Sequence, residues 1–288
     1  MATLPQGASV QEALLKTVDT DPENFNLVFH RMRKMFPGEV TEACLCYLAQ
    51  KGLDLAGRNM AIWLSLESRY IKPLFDANTL PLDVASKAIA ALSKTDAQIF
   101  AKFLKAVEQI AVPQRMLRPL SLVPALGDYT PLLPWLRKLT QLNDDRVKSR
   151  AVKLLCGLKP HKSQVDRYMI EGSPRVRANI LEALWNSNLP EAAELFRAAL
   201  ADPNHRVLIN ALIGLHLGGD PTAITRLIDV CQSPEPSFRT AAAWALGFIK
   251  DERGIPALEA LCKDASVIVR KSALRSLLAL QPQEAAAE

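Results

Sequence analysis

The stretch Val207-Leu208-Ile209-Asn210-Ala211-Leu212-Ile213-Gly214-Leu215 decides the fold. Its positions 0, 4 and 8 are Val207, Ala211 and Leu215, which fall within about 80° of one another on a helix and form one apolar stripe. The same positions recur as Phe238, Ala242 and Leu246 and as Val269, Ala273 and Leu277. Upstream they are Val176, Ile180 and Leu184, preceded by Val147, Ala151 and Leu155. The anchors Val147, Val176, Val207, Phe238 and Val269 are separated by 29, 31, 31 and 31 residues. A fixed period of that size marks a repeat architecture, in which each unit must stack on a neighbour to bury its apolar face.

A second register runs between the anchors. Ala193, Phe196 and Leu200 correspond to Ile224, Leu227 and Cys231, then to Ile255, Leu258 and Cys262. Each unit is therefore expected to be a helical hairpin. Pro190, Pro221 and Pro256 sit where a first helical turn needs no N–H donor, and Asp202-Pro203-Asn204 and Ser233-Pro234-Glu235-Pro236 read as turns. No stretch alternates with period two over a useful length, so the fold class is all-α.

Asp251-Glu252-Arg253-Gly254-Ile255-Pro256-Ala257-Leu258, continuing to Asp264, Val269-Arg270 and Ala273-Leu274, resembles the HEAT repeat, in particular the short prokaryotic form named after phycobilin lyases. The resemblance covers residues 129–281, and Val84, Ala88, Leu92, Met116 and Leu120 extend the spacing towards residue 80. It implies a right-handed α-solenoid of stacked hairpins with a period of about 31. Residues 80–281 would form the solenoid, residues 1–79 a helical cap or degenerate repeats, and residues 282–288 a disordered tail. It also implies that the anchor helices line a concave groove, the default binding surface, and that a loop aspartate pairs with a helix arginine between neighbouring units.

Composition narrows the function classes. The 288 residues are 49% apolar, 23% charged and 6% aromatic, which suits a large buried core. The net charge of +5 is spread evenly, with 16 basic and 13 acidic residues through Asn143 and 19 and 17 after it, so no basic tail or stripe singles out a polyanion. Met1–Lys16 lacks the pattern of a secretory signal and no run is apolar enough to span a bilayer, so a soluble, cytoplasmic protein without a membrane partner is expected. Cys44, Cys46, Cys156, Cys231 and Cys262 include no Cys-x-x-Cys pair and read as reduced, mostly buried thiols.

None of His30, His161, His205 and His216 is followed by glutamate. Deoxyhypusine hydroxylases, which are also HEAT-repeat proteins, hold a di-iron centre with repeated His-Glu pairs, and that pattern is missing here. No metal site, cofactor motif, nucleophile elbow or phosphate-binding loop is expected, and no catalytic residue is assigned.

Two sets of residues stand out. Lys148, Arg177, Arg239 and Arg270 each follow an anchor, Leu208 interrupts the series, and Glu171, Asp202 and Asp264 lie five residues before anchors. This ladder reads either as an anion site or as ion pairs between units. The second set lies opposite the apolar stripe, where Ser149, Lys153, Ala178, Glu182, Lys271 and Arg275 are mostly polar but the middle units present Ile209, Ile213 and Trp244, flanked by Trp185 and His216. Those five residues form either a partner-binding patch or a surface buried by neighbouring units.

The patch leads to the expectation of a non-catalytic scaffold that holds a protein or peptide in the groove. A bilin lyase or chromophore chaperone is one alternative, suggested by the repeat type. Nucleic-acid binding by Lys148, Lys153, Arg177, Arg239, Lys271 and Arg275 is the other, disfavoured by the even charge.

Overall fold

The structure is a computed structural model and describes residues 10–20, 25–66, 68–158, 161–187 and 189–280. Eighteen α-helices and no strand are present among the described residues, which makes the fold all-α. The expected disordered tail lies outside the described residues. Two compact units divide between Val147 and Lys148.

The first unit contains α1 (Val10–Thr20), α2 (Phe25–Met35), α3 (Pro37–Lys51), α4 (Leu55–Leu66), α5 (Ile71–Phe75), α6 (Leu82–Leu92), α7 (Ile99–Val107), α8 (Leu117–Leu122) and α9 (Leu133–Leu139). Packing is continuous across residues 79 and 80, because α6 lies against α3. The core includes Ala88, Leu92 and Leu120, and an edge-to-face series joins Phe75, Phe103 and Trp135 at 5.1 and 5.7 Å. Asp96 is buried but satisfied: Tyr70 Oη donates to it at 2.7 Å and Lys102 Nζ at 2.6 Å.

Helix α10 (Asp145–Leu158) crosses the boundary. The second unit continues with α11 (Lys162–Glu171), α12 (Pro174–Leu184), α13 (Ala192–Ala199), α14 (His205–Leu217), α15 (Thr222–Val230), α16 (Pro236–Ile249), α17 (Ile255–Leu261) and α18 (Val267–Leu280). Consecutive helices pair as α11/α12, α13/α14, α15/α16 and α17/α18, while α12, α14, α16 and α18 stack one upon the next. Short polar side chains start the anchor helices. Ser173 Oγ accepts from Val176 N at 3.3 Å, Asn204 Oδ1 from Arg206 N at 3.0 Å and Asp264 Oδ1 from Ser266 N at 2.7 Å, each satisfying an otherwise orphaned N–H.

The anchor stripe is core. Val147, Val176, Val207 and Val269 are buried, as are all five residues four positions later; Phe238 and Leu277 are half-buried. In the second register Phe196, Ile224, Leu227, Cys231 and Leu258 are buried, but Ala193 is exposed and Ala192 takes its place inside. Two glycines permit the close stacking. A Cβ on Gly214 would strike the Phe196 ring, and one on Gly247 would strike Ser276, including its Cα at 2.8 Å.

Candidate functional site

Three sets of contacts tie the anchor helices together, and two of them fail between α14 and α16, where a cleft opens. The first is the arginine ladder. Arg177 grips Asp202 through Nε at 2.8 Å and Nη2 at 3.2 Å while its Nη1 donates to Gly172 O at 2.9 Å. Arg239 repeats this on Asp264 at 2.7 and 3.0 Å, with Nη1 at 2.8 Å from both Ser233 O and Pro234 O. Each arginine thus joins its own turn to the aspartate 25 residues on. The rung between them is lost at both ends: Leu208 replaces the arginine and Ser233, 25 residues on, replaces the aspartate. Glu171 takes no part in the ladder and lies 3.9 Å from Arg167 on its own helix.

The second set runs from the third residue after an anchor to a carbonyl 32 residues earlier. Asn210 Nδ2 donates to Ala178 O at 2.7 Å and Ser272 Oγ to Thr240 O at 3.0 Å. Between them the position is Ala241, which has no group to reach Ile209 O. The third is the indole of Trp185, whose Nε1 donates to Asn210 O at 2.8 Å and whose ring lies 5.2 Å from that of Phe248. Phe248 in turn stacks on Trp244 at 5.5 Å, one helical turn away.

Where the rung is absent at Ala241, a cleft of about 290 Å³ opens between α12, α14 and α16, lined by Glu182, Arg206, Ile209, Asn210, Ala241 and Trp244. Trp244, 47% exposed, is the aromatic wall of the cleft, and Phe248, equally exposed, stacks on it from outside the lining. Glu182 is neutralised by Lys153 at 2.5 Å. Arg206 is exposed and its guanidinium makes no ion pair or hydrogen bond among the described residues, so the cleft carries one uncompensated positive charge.

The solvent-facing assignment of Ile209 and Ile213 is corrected here. Both are buried in the cluster that also holds Leu212, Ala243 and Leu246, against which Trp185 packs. Stacked neighbours cover the side of the helix that a single-helix wheel leaves open. Trp185 and His216 are half-buried, and Trp244 is the one exposed residue of the five. Of the basic residues considered for nucleic acid, Lys153, Arg177 and Arg239 are held by Glu182, Asp202 and Asp264. Arg270 bonds the carbonyls of Asp264 and Ala265, and Lys148 is half-buried. Sequence reasoning passed over Arg206 and Phe248; the first follows Arg146 and Arg175 as the residue before an anchor, and the second lies four residues after Trp244.

Burial pushes the Cys156 and Cys231 thiols up to about 12 and the Cys44 thiol higher still, so they are uncharged at neutral pH. Among the described residues no three His, Cys, Asp or Glu side chains gather where they could hold a metal ion, and no helix is long and apolar enough to cross a membrane.

Residues 207–279 match the family model of HEAT repeats. No curated protein matches the sequence. Among solved structures, human deoxyhypusine hydroxylase in complex with glycerol is similar, with 18% identity, coverage of 87% of this chain and 99% of that chain, and a TM-score of 0.37. A likeness of that size assigns no activity. The expectation of a non-catalytic scaffold is corrected: the apolar centre that suggested it is largely core, with Ile209 and Ile213 buried, and none of these comparisons supports that role.

Proposed function

We propose that the second unit binds a small, planar, anionic molecule in the cleft between α12, α14 and α16. The observation that carries this reading is the pairing of an exposed indole, Trp244, with an unpaired guanidinium, Arg206, over the floor made by Ile209 and Ala241. A ring stacks on Trp244, and a carboxylate or phosphate on the ring accepts from Arg206, as charge-assisted recognition favours. The volume of about 290 Å³ lies just below the roughly 300–1,000 Å³ common for ligand sites, which suits one or two rings rather than the four of a tetrapyrrole.

Titration with naphthalene-2-carboxylate, followed by tryptophan fluorescence, tests the reading. Naphthalene-2-carboxamide supplies the ring without the charge and cyclohexanecarboxylate the charge without the ring. The aromatic acid should bind most tightly, and Arg206→Gln should weaken it by about 10- to 100-fold, the worth of a hydrogen bond to a charged group. Equal affinity for all three probes, or no binding at millimolar concentration, overturns it.

The resemblance of residues 129–281 to the short, phycobilin-lyase type of repeat also supports a right-handed solenoid with a period of about 31, and five free thiols support a cytoplasmic setting.

A further inference from the structure

The outer face of α18 has the side chains of a stacking interface, but no element among the described residues stacks on it. The position five residues after each of the last four anchors is Leu181, Leu212, Ala243 and Leu274. The first three are buried at 0, 1 and 0% exposure in a series of helices that each stack on the next, whereas Leu274 is 55% exposed. Val267 and Leu278 lie within about 40° of it on the helix and are also exposed. A helix face open to water is ordinarily polar, and this one carries a contiguous apolar stripe.

Charge specifies what would cover that stripe. Arg177 and Arg239 each use Nη1 on carbonyls of their own turn and Nε with Nη2 on the aspartate 25 residues on. Arg270 holds the first half of this arrangement, with Nη1 at 2.6 Å from Asp264 O and 2.9 Å from Ala265 O. Its Nε and Nη2 have no partner among the described residues, and this is the edge that grips a carboxylate in the two earlier rungs. Lys271 and Arg275 are exposed beside the stripe, make no ion pair among the described residues, and α18 contains no acidic residue. A second copy meeting this face symmetrically would bring like charges together.

We propose that the outer face of α18 docks a helical segment of another protein, one that places apolar residues on Leu274 and a carboxylate in the open fork of Arg270. Apolar burial supplies attraction and the bidentate arginine fixes the register, as between the units of the array itself. This surface is separate from the aromatic cleft and does not depend on a ligand there.

The probe is a fluorescein-labelled peptide copying residues 251–280, which carries Asp264 and the helix that already stacks on α16. It is titrated by anisotropy into the full chain. Saturable binding is expected, weakened at least tenfold by Arg270→Gln in the protein or by Asp264→Asn in the peptide, with the two changes together costing no more than either alone. Leu274→Asp, at an exposed position, should abolish binding while the thermal melt stays unchanged. Absence of binding overturns the proposal, as does additivity of the two charge changes. Sedimentation showing self-association that Leu274→Asp dissolves would make a second copy the occupant. A more than tenfold gain in peptide affinity on deleting residues 281–288 would make it the chain's own end. Either result also overturns the proposal.

Discussion

Ala241→Asn should close the cleft and leave the fold as stable as before or more so. The side chains of Asn210 and Ser272 donate to carbonyls 32 residues earlier, and the same register from position 241 leads to Ile209 O. The alanine is half-buried and lines the cleft, so a carboxamide there has room to enter it and a carbonyl lone pair to reach. A net gain of about 1 kcal/mol is expected from the added hydrogen bond, set against a helix-propensity loss of about 0.5 kcal/mol on exchanging alanine for asparagine. The balance is a small stabilisation, read by urea unfolding with tryptophan fluorescence, while naphthalene-2-carboxylate affinity should fall at least tenfold. Unchanged ligand affinity in a folded variant would show that the cleft is not the binding site. Destabilisation by more than about 1 kcal/mol would refute the reasoning about the missing rung.

Other perturbations probe the stacking. Gly247→Ala would gain up to about 1 kcal/mol in an isolated helix, but here the new Cβ meets Ser276 Cβ at 2.5 Å and Cα at 2.8 Å, so a net loss of roughly 1–2 kcal/mol is expected in urea unfolding. Leu208→Arg with Ser233→Asp should rebuild the absent rung: each single change destabilises, and a double-mutant cycle should return a favourable coupling of about 1–3 kcal/mol, whereas additivity would dismiss the ladder as a source of stability. Asp264 is held below the usual carboxylate range chiefly by its hydrogen bonds from Arg239, and Asp251, through those from Arg253, lies at about 2. Both pKa values are depressed, so the stability they add is present above about pH 4 and lost as pH falls through the folded values. An acid titration of Asp251→Asn should therefore lose part of the wild-type slope between about pH 4 and 2.

The helical class and the inward side of each anchor helix were legible in the sequence because they depend on spacing. Val207, Ala211 and Leu215 share a face through helix geometry alone, and repetition at a fixed interval requires that face to meet a neighbour. The pairing of Arg239 with Asp264 was legible only through the resemblance to HEAT repeats, which implies a loop aspartate paired with a helix arginine between neighbouring units; spacing alone left an anion site equally open. What lies on the opposite side of the helix was not. Ile209 and Ile213 sit where a single helix faces water, yet α12 and α16 flank α14 and the indole of Trp185 crosses it to reach Phe248, 63 positions further along the chain. The cleft depends likewise on an absence, since Ala241 is remarkable only beside Asn210 and Ser272 and their bonded carbonyls. Local periodicity thus determined which residues turn inward, because a helix converts spacing into direction. Only the tertiary structure decided which outward residues remain exposed, because burial there is imposed by side chains distant in sequence.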